Sequence, residues 1–495
     1  MSQPSLLCVT VTAPTTAELR QRRDAAVKEF QADLVELRLD SVCDPNVGAA
    51  LEGRSGPVIV TCRPVWEGGQ FSGSESQRRR VLEDALARGA EYVDIEARAG
   101  FGDVIAKTRG RGIVLSMHDF EGVPADLDER ARAMRETGAD VIKIAVRVHR
   151  LSDCLRLLDL AATLGPPGGK VLIAMGEQGL VTRVLARRFG SAWTYAGDMG
   201  QIGQVSAARL IDQYRFRSLS ESTHIYGLTG SPIGHSVSPA MHNAAIRAAG
   251  LDAVYLPFPA ADPDDFMTFA RALGVEGVSV TIPFKVSLAE RVDDLDAAAR
   301  RVGAINTVRV ANGRWIGRNT DVAGFLRPLQ DRGVALNGLR ASILGAGGSA
   351  RAVAIALASK GLAVRVHARS RERAEAVVSG VGGRVGPWPP EEGSWDLLVN
   401  CTPVGMHPRV DETPVPARLL TGRLVYDLVY NPQVTRLLRE AAEAGCETIG
   451  GLDMLVAQAG EQFHWWTGVQ PEAGVMCAAA LNRLSEFATD ENHLV

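Results

Sequence analysis

One lysine, Lys143, stands inside an apolar segment, VIKIAVRV at residues 141–148. Only six of the chain's 54 basic residues are lysines, so a lysine at this position is a notable choice. A lysine amine can lose its proton and form a Schiff base, which arginine cannot do, and an apolar site favours the neutral amine. The alternative is a lysine that extends from a strand end and keeps its charge in water. The segment alone allows both interpretations.

Further ionisable residues stand at the ends of neighbouring apolar segments. A histidine titrating near pH 7 can act as general base and then general acid, and arginine binds a carboxylate through two hydrogen bonds. Each residue alone is better explained by an ion pair at a strand end. Together with Lys143 they indicate one common site. The residues are Glu36, Arg38, Arg63, Glu96 and His118.

The elements that must position these residues alternate regularly between residues 6 and 216. Eight β/α units can close into a (β/α)8 barrel, and active sites of such barrels lie at the C-terminal ends of the strands. The sequence therefore predicts a TIM barrel with the ionisable residues at one end. The eight predicted strands are LLCVTVT, DLVELRL, PVIVTCR, EYVDIE, GIVLSMH, DVIKIAV, KVLIAMG and AWTYAG.

The segments VELRLD, TCRPVWEGG, SMHDF and KIAV together resemble type I 3-dehydroquinate dehydratase over residues 6–216. The resemblance implies that Lys143 forms an imine with the substrate ketone, that His118 transfers the proton and that Glu96 orients His118. It also implies a set of residues that hold the substrate carboxylate and hydroxyls, namely Glu36, Arg38, Arg63, Arg183 and Gln204. The chain departs from the family in GQIGQ at residues 200–204, where Gly200 replaces a serine.

After a polar linker at residues 214–224 a second pattern begins. The strand-like ASILG at residues 341–345 leads into GAGGSARA, which fits the dinucleotide fingerprint G-x-G-x-x-A. An NAD site would have an acidic residue about 20 residues further on, at the end of the next strand. This chain has Arg369, Ser370 and Arg373 there, and such a cationic pocket favours NADP.

Seven motifs make the second half, residues 225–487, resemble shikimate dehydrogenase. Their number and order are specific. They are GSPIGHSVSPAMHN, VSVTIPFK, GAINTV, GRNTDVAGF, GAGGSARA, NCTPVGM and GLDMLVAQAGEQF.

That resemblance implies a catalytic pair, Lys285 and Asp321, beside the reacting oxygen, although a simple salt bridge is the alternative for the pair alone. It implies substrate contacts from Ser236, Ser238, Thr281, Asn306, Tyr430, Gln458 and Gln462. It implies NADP contacts from Gly345, Ala346, Gly347, Gly348, Ala350, Arg369, Ser370, Arg373, Thr402, Gly451 and Met454.

The predicted organisation is α/β throughout. It consists of a dehydratase barrel at residues 1–218, a substrate-binding lobe at 224–327 completed by C-terminal helices at 452–488, and a Rossmann NADP-binding domain at 328–451. The formal net charge of −3 with 22% charged residues indicates no nucleic-acid or membrane partner. Seven scattered cysteines and an N-terminus without a leader pattern predict a cytoplasmic protein, and no metal cluster is expected.

The resulting hypothesis is a bifunctional enzyme that dehydrates 3-dehydroquinate to 3-dehydroshikimate and reduces the latter to shikimate with NADPH. Two alternatives are an aldolase-like Schiff-base barrel fused to a quinate dehydrogenase, and a catalytically inactive metabolite sensor. The sequence leaves the choice between monomer and homodimer open.

Overall fold

The computed structural model of the chain describes residues 6–165 and 169–492. It divides into two compact units, one formed by Met1–Thr223 with Phe258–Gly274 and the other by His224–Pro257 with Val275–Val495. The first five residues, on which the leaderless N-terminus was predicted, lie outside the described part of the chain. Among the described helices, none is both long and apolar enough to cross a membrane.

The first unit contains the predicted barrel of eight parallel strands. Neighbouring strands pair in sequence order, and β1 also pairs with β8. The seam between β7 and β8 is bridged by the bond from the Ala192 N–H to the Lys170 carbonyl, so the barrel is nearly closed. The strands are β1 (Leu6–Val11), β2 (Leu34–Arg38), β3 (Val58–Thr61), β4 (Tyr92–Glu96), β5 (Ile113–Asp119), β6 (Val141–Arg147), β7 (Lys170–Met175) and β8 (Trp193–Ala196).

Helices connect successive strands of the barrel. Local signals start them: the Thr15 side chain accepts a hydrogen bond from the Glu18 N–H, and Ser74 with Gln77 forms a capping box. The helices are α1 (Thr16–Phe30), α2 (Val47–Leu51), α3 (Glu75–Ala87), α4 (Gly102–Thr108), α5 (Leu127–Glu136), α6 (Cys154–Thr163) and α7 (Leu180–Val184).

The second unit begins with a mixed six-stranded sheet in the order β10-β9-β11-β13-β14-β12. Its strands are β9 (His224–Gly230), β10 (Ala253–Pro259), β11 (Val275–Val280), β12 (Asp294–Leu295), β13 (Thr307–Ala311) and β14 (Arg314–Arg318). The helices of this part of the chain are α8 (Ser238–Ala248), α9 (Pro263–Leu273), α10 (Ala297–Val302) and α11 (Asp321–Asp331).

The segment Phe258–Gly274, which includes α9, is grouped with the first unit, whereas the sequence analysis assigned it to the substrate-binding lobe. The carboxylate of Asp265 accepts hydrogen bonds from the backbone N–H groups of Leu151 and Ser152, at 3.1 and 2.9 Å. These bonds satisfy donors at the start of a short 3₁₀ turn, which would otherwise lack partners.

A second sheet in the same unit is wholly parallel, with the order β17-β16-β15-β18-β19-β20 that defines a doubly wound dinucleotide fold. Its strands are β15 (Arg340–Leu344), β16 (Ala363–His367), β17 (Arg384–Val385), β18 (Leu397–Asn400), β19 (Leu424–Asp427) and β20 (Glu447–Ile449). The remaining helices are α12 (Gly348–Ser359), α13 (Arg371–Ser379), α14 (Arg436–Glu443), α15 (Gly451–Thr467) and α16 (Ala473–Asn492).

After the dinucleotide sheet the chain returns to the first part of the second unit. Helix α15 packs against α11, and α16 packs against α8. An apolar cluster that includes Tyr255, Phe463 and Trp466 packs α8, α15 and α16 together. This return brings residues more than 130 positions apart in sequence into one site.

Candidate active sites

Lys143 lies in the interior of the barrel, on the middle of β6. In the ladder with β5, Lys143 is opposite Ser116, and Ala145 is opposite His118, so His118 lies one layer nearer the C-terminal end. The lysine side chain is only 6% exposed. Its Nζ lies 3.1 Å from Asp94 Oδ2, 3.5 Å from Glu36 Oε1 and 4.3 Å from the centre of the Tyr195 ring. The lysine is therefore a buried group inside the site, and it does not extend to water.

Glu36 is held in place by two hydroxyl groups. Thr10 Oγ1 donates to one carboxylate oxygen at 2.8 Å and Thr61 Oγ1 donates to the other at 2.9 Å. Burial acts to raise the pKa of Glu36, but the charges of Lys143 and Arg38 outweigh it, and the pKa is lowered. Glu36 is therefore a fixed, ionised acceptor beside the lysine.

Asp94 is a site residue that the sequence analysis did not select. Its Oδ2 binds Arg63 at 2.8 Å as well as Lys143, and its Oδ1 accepts from Ser116 Oγ at 2.5 Å. Burial opposes ionisation, but Arg63 and Lys143 hold the pKa of Asp94 well below its usual range. Asp94 lies two residues before Glu96 on β4, so the alternation of a strand places both on the inner face.

Glu67, and not Glu96, is the partner of His118. Its Oε1 accepts from the His118 backbone N–H at 2.9 Å and lies 3.2 Å from His118 Nδ1. Glu67 ends a 3₁₀ turn, Val65–Glu67, in the loop after β3, and that loop folds back through the bond from the Phe71 N–H to the Arg63 carbonyl. The predicted role of Glu96 is therefore wrong. The signal was available, since Glu67 lies within the segment TCRPVWEGG.

Glu96 instead links two buried arginines. One of its oxygens binds Arg63 at 2.7 Å and the other binds Arg78 of α3. All three side chains are almost fully buried. Arg63 is thus occupied by Asp94 and Glu96, so its effect on the site is to fix these carboxylates and to contribute positive charge.

The histidine and its glutamate have strongly shifted pKa values. Burial, with the nearby charges of Arg63 and Lys143, lowers the pKa of His118 well below its usual value. Burial raises the pKa of Glu67 to about 7. The imidazole is therefore neutral near pH 7 and able to accept a proton, as a general base requires.

A cavity of about 340 Å³ lies beside Lys143 and His118. Its lining also includes Arg38, Arg183 and Gln204. Arg183 is 2% exposed and donates to the carbonyls of Tyr195 and Ile202, at 3.4 and 3.1 Å. It has no carboxylate partner among the residues that the structure describes, and burial lowers its pKa to about 10. Such a guanidinium is suited to bind the carboxylate of a substrate.

The other two lining residues are fixed by neighbours. Arg38 makes a two-bond ion pair with Asp40 at 2.9 and 2.7 Å. Gln204 donates to Thr10 Oγ1 at 3.2 Å, and the same Thr10 hydroxyl donates to Glu36. The turn Gly200–Ile202 precedes it, and Gly200 has open space where a side chain would begin.

In the second unit, Lys285 and Asp321 form a close pair, with Nζ 2.6 Å from Oδ2. Lys285 follows β11 in a turn, and Asp321 begins α11. The second oxygen of Asp321 accepts from Asn306 Nδ2 at 2.7 Å. The two side chains are 17% and 8% exposed. The arrangement can donate a proton to, or stabilise, an oxygen that gains negative charge.

The amide side chains of Asn306, Gln458 and Gln462 form one network beside this pair. Asn306 Nδ2 donates to Gln458 Oε1 at 3.0 Å, and Gln462 Nε2 donates to the same oxygen at 2.7 Å. The close contact of α11 with α15 requires Gly324, because a Cβ there would lie 2.5 Å from the Cβ of Gln458. The i, i+4 spacing of the glutamines places them on one helix face, as the sequence predicts.

The remaining predicted substrate contacts lie in the same unit. Ser236 Oγ accepts from the Ser238 N–H at the start of α8, at 3.2 Å. Thr281 follows β11 and its N–H binds the carbonyl of Thr229. Tyr430 packs against the apolar cluster of α8 and α15, and burial raises its pKa.

The predicted dinucleotide contacts surround the C-terminal ends of β15 and β18. Gly345 has a φ of +108°, which strongly favours glycine, and a Cβ there would lie 3.1 Å from the Cys401 carbonyl. Gly347 caps α12 with open space above it, and α12 presents N–H groups from Gly348 onward. These features fit a pyrophosphate at a helix N-terminus. Thr402 is fixed by its hydroxyl, which donates to Asn400 at 2.7 Å.

Arg369 and Arg373 lie beyond the end of β16, and both are exposed. Neither makes an ion pair within the described part of the chain, and Ser370 caps α13 by accepting from the Arg373 N–H. The free guanidinium groups fit the 2′-phosphate of NADP. Met454 is only 7% exposed and packs in the apolar core around the dinucleotide sheet, and its cofactor contact stays a prediction.

Gly348 also connects the two halves of the second site. A Cβ at Gly348 would lie 3.9 Å from Cδ of Lys285. Ala350 is fully buried against the sheet, and Gly451 begins α15 immediately after β20. The described residues contain no cluster of histidine, cysteine and carboxylate groups suited to a metal ion.

The folds and sites define an enzyme with two active centres, one in a barrel and one in a dinucleotide-dependent oxidoreductase. Family models agree: Type I 3-dehydroquinase matches residues 7–221, the shikimate dehydrogenase substrate binding domain matches residues 228–308, and the shikimate 5′-dehydrogenase C-terminal domain matches residues 451–481. A chloroplastic bifunctional 3-dehydroquinate dehydratase/shikimate dehydrogenase of Arabidopsis thaliana is 33% identical, covering 95% of this chain and 83% of the relative. The chain belongs to this bifunctional family.

Comparisons of the second half agree with this assignment. A shikimate dehydrogenase (NADP(+)) of Methanothermobacter thermautotrophicus is 42% identical over 52% of this chain and 96% of the relative. A crystal structure of a shikimate dehydrogenase in complex with NADP+ is 36% identical, with a TM-score of 0.52, over 54% of this chain and 97% of that one. The crystal structure of the Thermus thermophilus shikimate 5-dehydrogenase in complex with NADP(H) and shikimate is 38% identical, with a TM-score of 0.50. The match covers 52% of this chain and 99% of that one.

Proposed function

We propose that two separate active centres catalyse two consecutive reactions, each with its own set of residues. The chain is a 3-dehydroquinate dehydratase and an NADP-dependent shikimate dehydrogenase. The barrel converts 3-dehydroquinate to 3-dehydroshikimate, and the second unit reduces that product to shikimate. We infer the role of each residue from the geometry of its site.

In the barrel, the amine of Lys143 attacks the substrate ketone, and loss of water gives a protonated imine. The position of Nζ between two carboxylates and an aromatic ring supports this role, because the ammonium proton has acceptors at 3.1 and 3.5 Å. The imine is an electron sink that acidifies the neighbouring carbon. Arg183, which lacks a carboxylate partner among the described residues, binds the substrate carboxylate.

His118 removes the proton from the acidified carbon, and the electron pair moves into the imine to give an enamine. The enamine then expels the neighbouring hydroxyl, which leaves as water with the proton from His118. Glu67 accepts the Nδ1–H group of His118, which leaves Nε2 free for this transfer. Hydrolysis of the imine releases the conjugated ketone and restores Lys143.

In the second unit, bound NADPH supplies the hydride for reduction of the ketone. The Lys285–Asp321 pair supplies the proton for the oxygen that becomes the hydroxyl, and Asn306 fixes the second oxygen of Asp321. The side-chain amide nitrogen of Gln458 donates to the Leu455 carbonyl. The side-chain oxygen of Gln458 accepts hydrogen bonds from Asn306 and Gln462. Its position in this network is suited to orient substrate hydroxyls.

The alternative of a quinate dehydrogenase fused to an aldolase-like barrel is not favoured, and neither is an inactive sensor. His118 lies within hydrogen-bond distance of Glu67 in the barrel, and Lys285 lies within hydrogen-bond distance of Asp321 in the second unit. The relatives are named as dehydratase and shikimate dehydrogenase. Seven cysteines are free, as expected in a reducing compartment, which supports the proposed cytoplasmic location.

A coupled assay tests the proposed sequence of reactions. Purified full-length protein with 3-dehydroquinate alone should form the conjugated ketone, and added NADPH should then be consumed in equimolar amount to give shikimate. A protein that consumes NADPH with 3-dehydroshikimate but leaves 3-dehydroquinate unchanged would contradict the proposed barrel chemistry.

A further inference from the structure

Tyr195 presents its aromatic ring to the amine of Lys143. It lies on β8, it is 2% exposed, and its ring centre is 4.3 Å from Lys143 Nζ. A cation within about 6 Å of a ring centre is attracted by the negative face of the ring, most strongly where water is excluded. The side chain of Lys143 is 6% exposed, so water weakens this contact little.

The partners of Lys143 Nζ differ in what they require of the lysine. Asp94 and Glu36 accept hydrogen bonds, and an ammonium group has three N–H groups to offer both of them. A protonated imine keeps the positive charge but has only one N–H. It therefore cannot donate a separate hydrogen bond to each carboxylate, whereas its attraction to an aromatic face needs no N–H.

We propose that Tyr195 is a catalytic residue of the dehydratase, whose ring face stabilises the cationic imine on Lys143. This inference rests on the proposed imine chemistry. Asp94 and Glu36 still attract the positive charge of the iminium, but a single N–H cannot hydrogen-bond to both of them. The attraction of the ring to the charge is retained when the reacting nitrogen has become an iminium. A more stable iminium is formed in larger amount and makes the electron sink available to His118.

The aromatic ring, and not the phenol, is the part of Tyr195 that acts. Burial and the nearby charge of Glu36 raise the pKa of Tyr195 well above its usual value, so no phenolate charge is present. Phenylalanine has a comparable negative face and should replace tyrosine with little loss, whereas leucine fills much of the space without a π face.

The test compares variants of position 195 in the full-length protein. Tyr195→Phe should keep the kcat of dehydration within about twofold, and Tyr195→Leu should lower it by about 10- to 30-fold. Phenylalanine carrying one, two and three ring fluorines is then introduced at position 195. Fluorine withdraws electron density from the ring face with small change in shape, so kcat and the fraction of Lys143 trapped by borohydride should fall stepwise.

Two controls separate electrostatics from packing. The same fluorinated series at Phe189, a buried residue of the first unit that does not line the cavity, should leave dehydration unchanged. Reduction of 3-dehydroshikimate by the same preparations should also remain constant. The fluorinated variants keep the test decisive even if Tyr195→Leu fails to fold.

Three results have separate meanings. A stepwise fall confined to position 195 supports the proposal. A flat series at position 195, or an equal fall at Phe189, overturns the role of Tyr195 even if Lys143 is still trapped. Absence of any borohydride adduct in the unaltered protein would instead contradict the imine chemistry on which the proposal rests.

Discussion

The two lysines that we propose as catalytic are both largely buried, but their surroundings differ. Lys143 lies in the middle of a strand, where its amine meets two carboxylates and an aromatic face. Lys285 lies in a turn, 2.6 Å from one carboxylate of a helix start. The side chains are 6% and 17% exposed.

The difference shows how surroundings select the chemistry of one residue type. Around Lys143, several fixed acceptors and an open cavity allow the amine to release protons and bond to carbon. Around Lys285, a single short ion pair suits proton donation to an oxygen without any covalent bond. We therefore propose the first lysine as a nucleophile and the second as part of a proton-transfer pair.

The largest effects should come from removing each lysine. Lys143→Ala should reduce dehydration to the background of the assay while reduction of supplied 3-dehydroshikimate continues. Lys285→Ala should lower reduction by about 10²- to 10⁴-fold and leave dehydration intact. If Lys143→Ala also abolished reduction in a protein that is folded by circular dichroism, the separation of the two centres would be wrong.

His118 distinguishes covalent binding from proton transfer within the barrel. His118→Ala should lower dehydration by about 10²- to 10⁴-fold, the range expected for loss of a general acid–base group. Imine formation should persist, because Lys143 is unchanged. His149→Ala, which alters an exposed histidine of the same unit, is the matched control. A rate within a few-fold of the unaltered protein would refute the role of His118.

Substitution of Glu67 should affect the rate of dehydration, whereas substitution of Glu96 should affect stability. Glu67→Gln should lower dehydration by about 10- to 100-fold, because His118 loses the carboxylate that stabilises its protonated form. Burial raises the pKa of Glu67 to about 7, so it is ionised above pH 7 and protonated below. The rate should therefore rise between pH 6 and pH 8, and Glu67→Gln should remove this rise.

Glu96→Gln should chiefly affect stability, because it leaves Arg78 without a buried negative partner and removes one of the two buried carboxylates that pair with Arg63. Breaking such a buried pair costs about 3–5 kcal/mol. Thermal and urea unfolding should show the loss, while the pH-dependent rise near pH 7 is retained. A Glu96→Gln protein of normal stability that lacks this rise would return the role to Glu96.

Cofactor choice should give the smallest effect. Arg369→Ala should lower the preference for NADP over NAD by about tenfold or more, since a charge-assisted hydrogen bond to the 2′-phosphate is lost. Arg371→Ala is the matched control, because that arginine is exposed and pairs with Glu375. Equal kcat/KM for NADP and NAD in the unaltered protein would contradict the proposed pocket.

The fold could be predicted from sequence because its signals are local. Each barrel strand is a short apolar run, and the glycine fingerprint stands between a strand and a helix. Lys143 and His118 were found because they interrupt or end such runs. The grouping of Phe258–Gly274 with the first unit could not be predicted, since it depends on long-range contacts of Asp265.

The errors at the sites have a common physical origin. Glu96 ends a strand and therefore fitted the expected pattern, but two arginines occupy its carboxylate. Glu67 lies on a loop, and only the folding of that loop over β5 brings it to His118. Asp94, which the sequence analysis did not select, lies one layer deeper than the strand end. Sequence identifies chemical groups, whereas partners are set by three-dimensional packing.

The most direct test of the account is borohydride reduction in the presence of 3-dehydroquinate, followed by mass analysis of peptides. Borohydride reduces a protonated imine to a stable amine and so marks the lysine that forms it. The account predicts an adduct on the peptide containing Lys143, with Lys285 and the exposed Lys28, Lys107 and Lys360 unmodified. An adduct on Lys285, or none on Lys143 while dehydration proceeds, would contradict it.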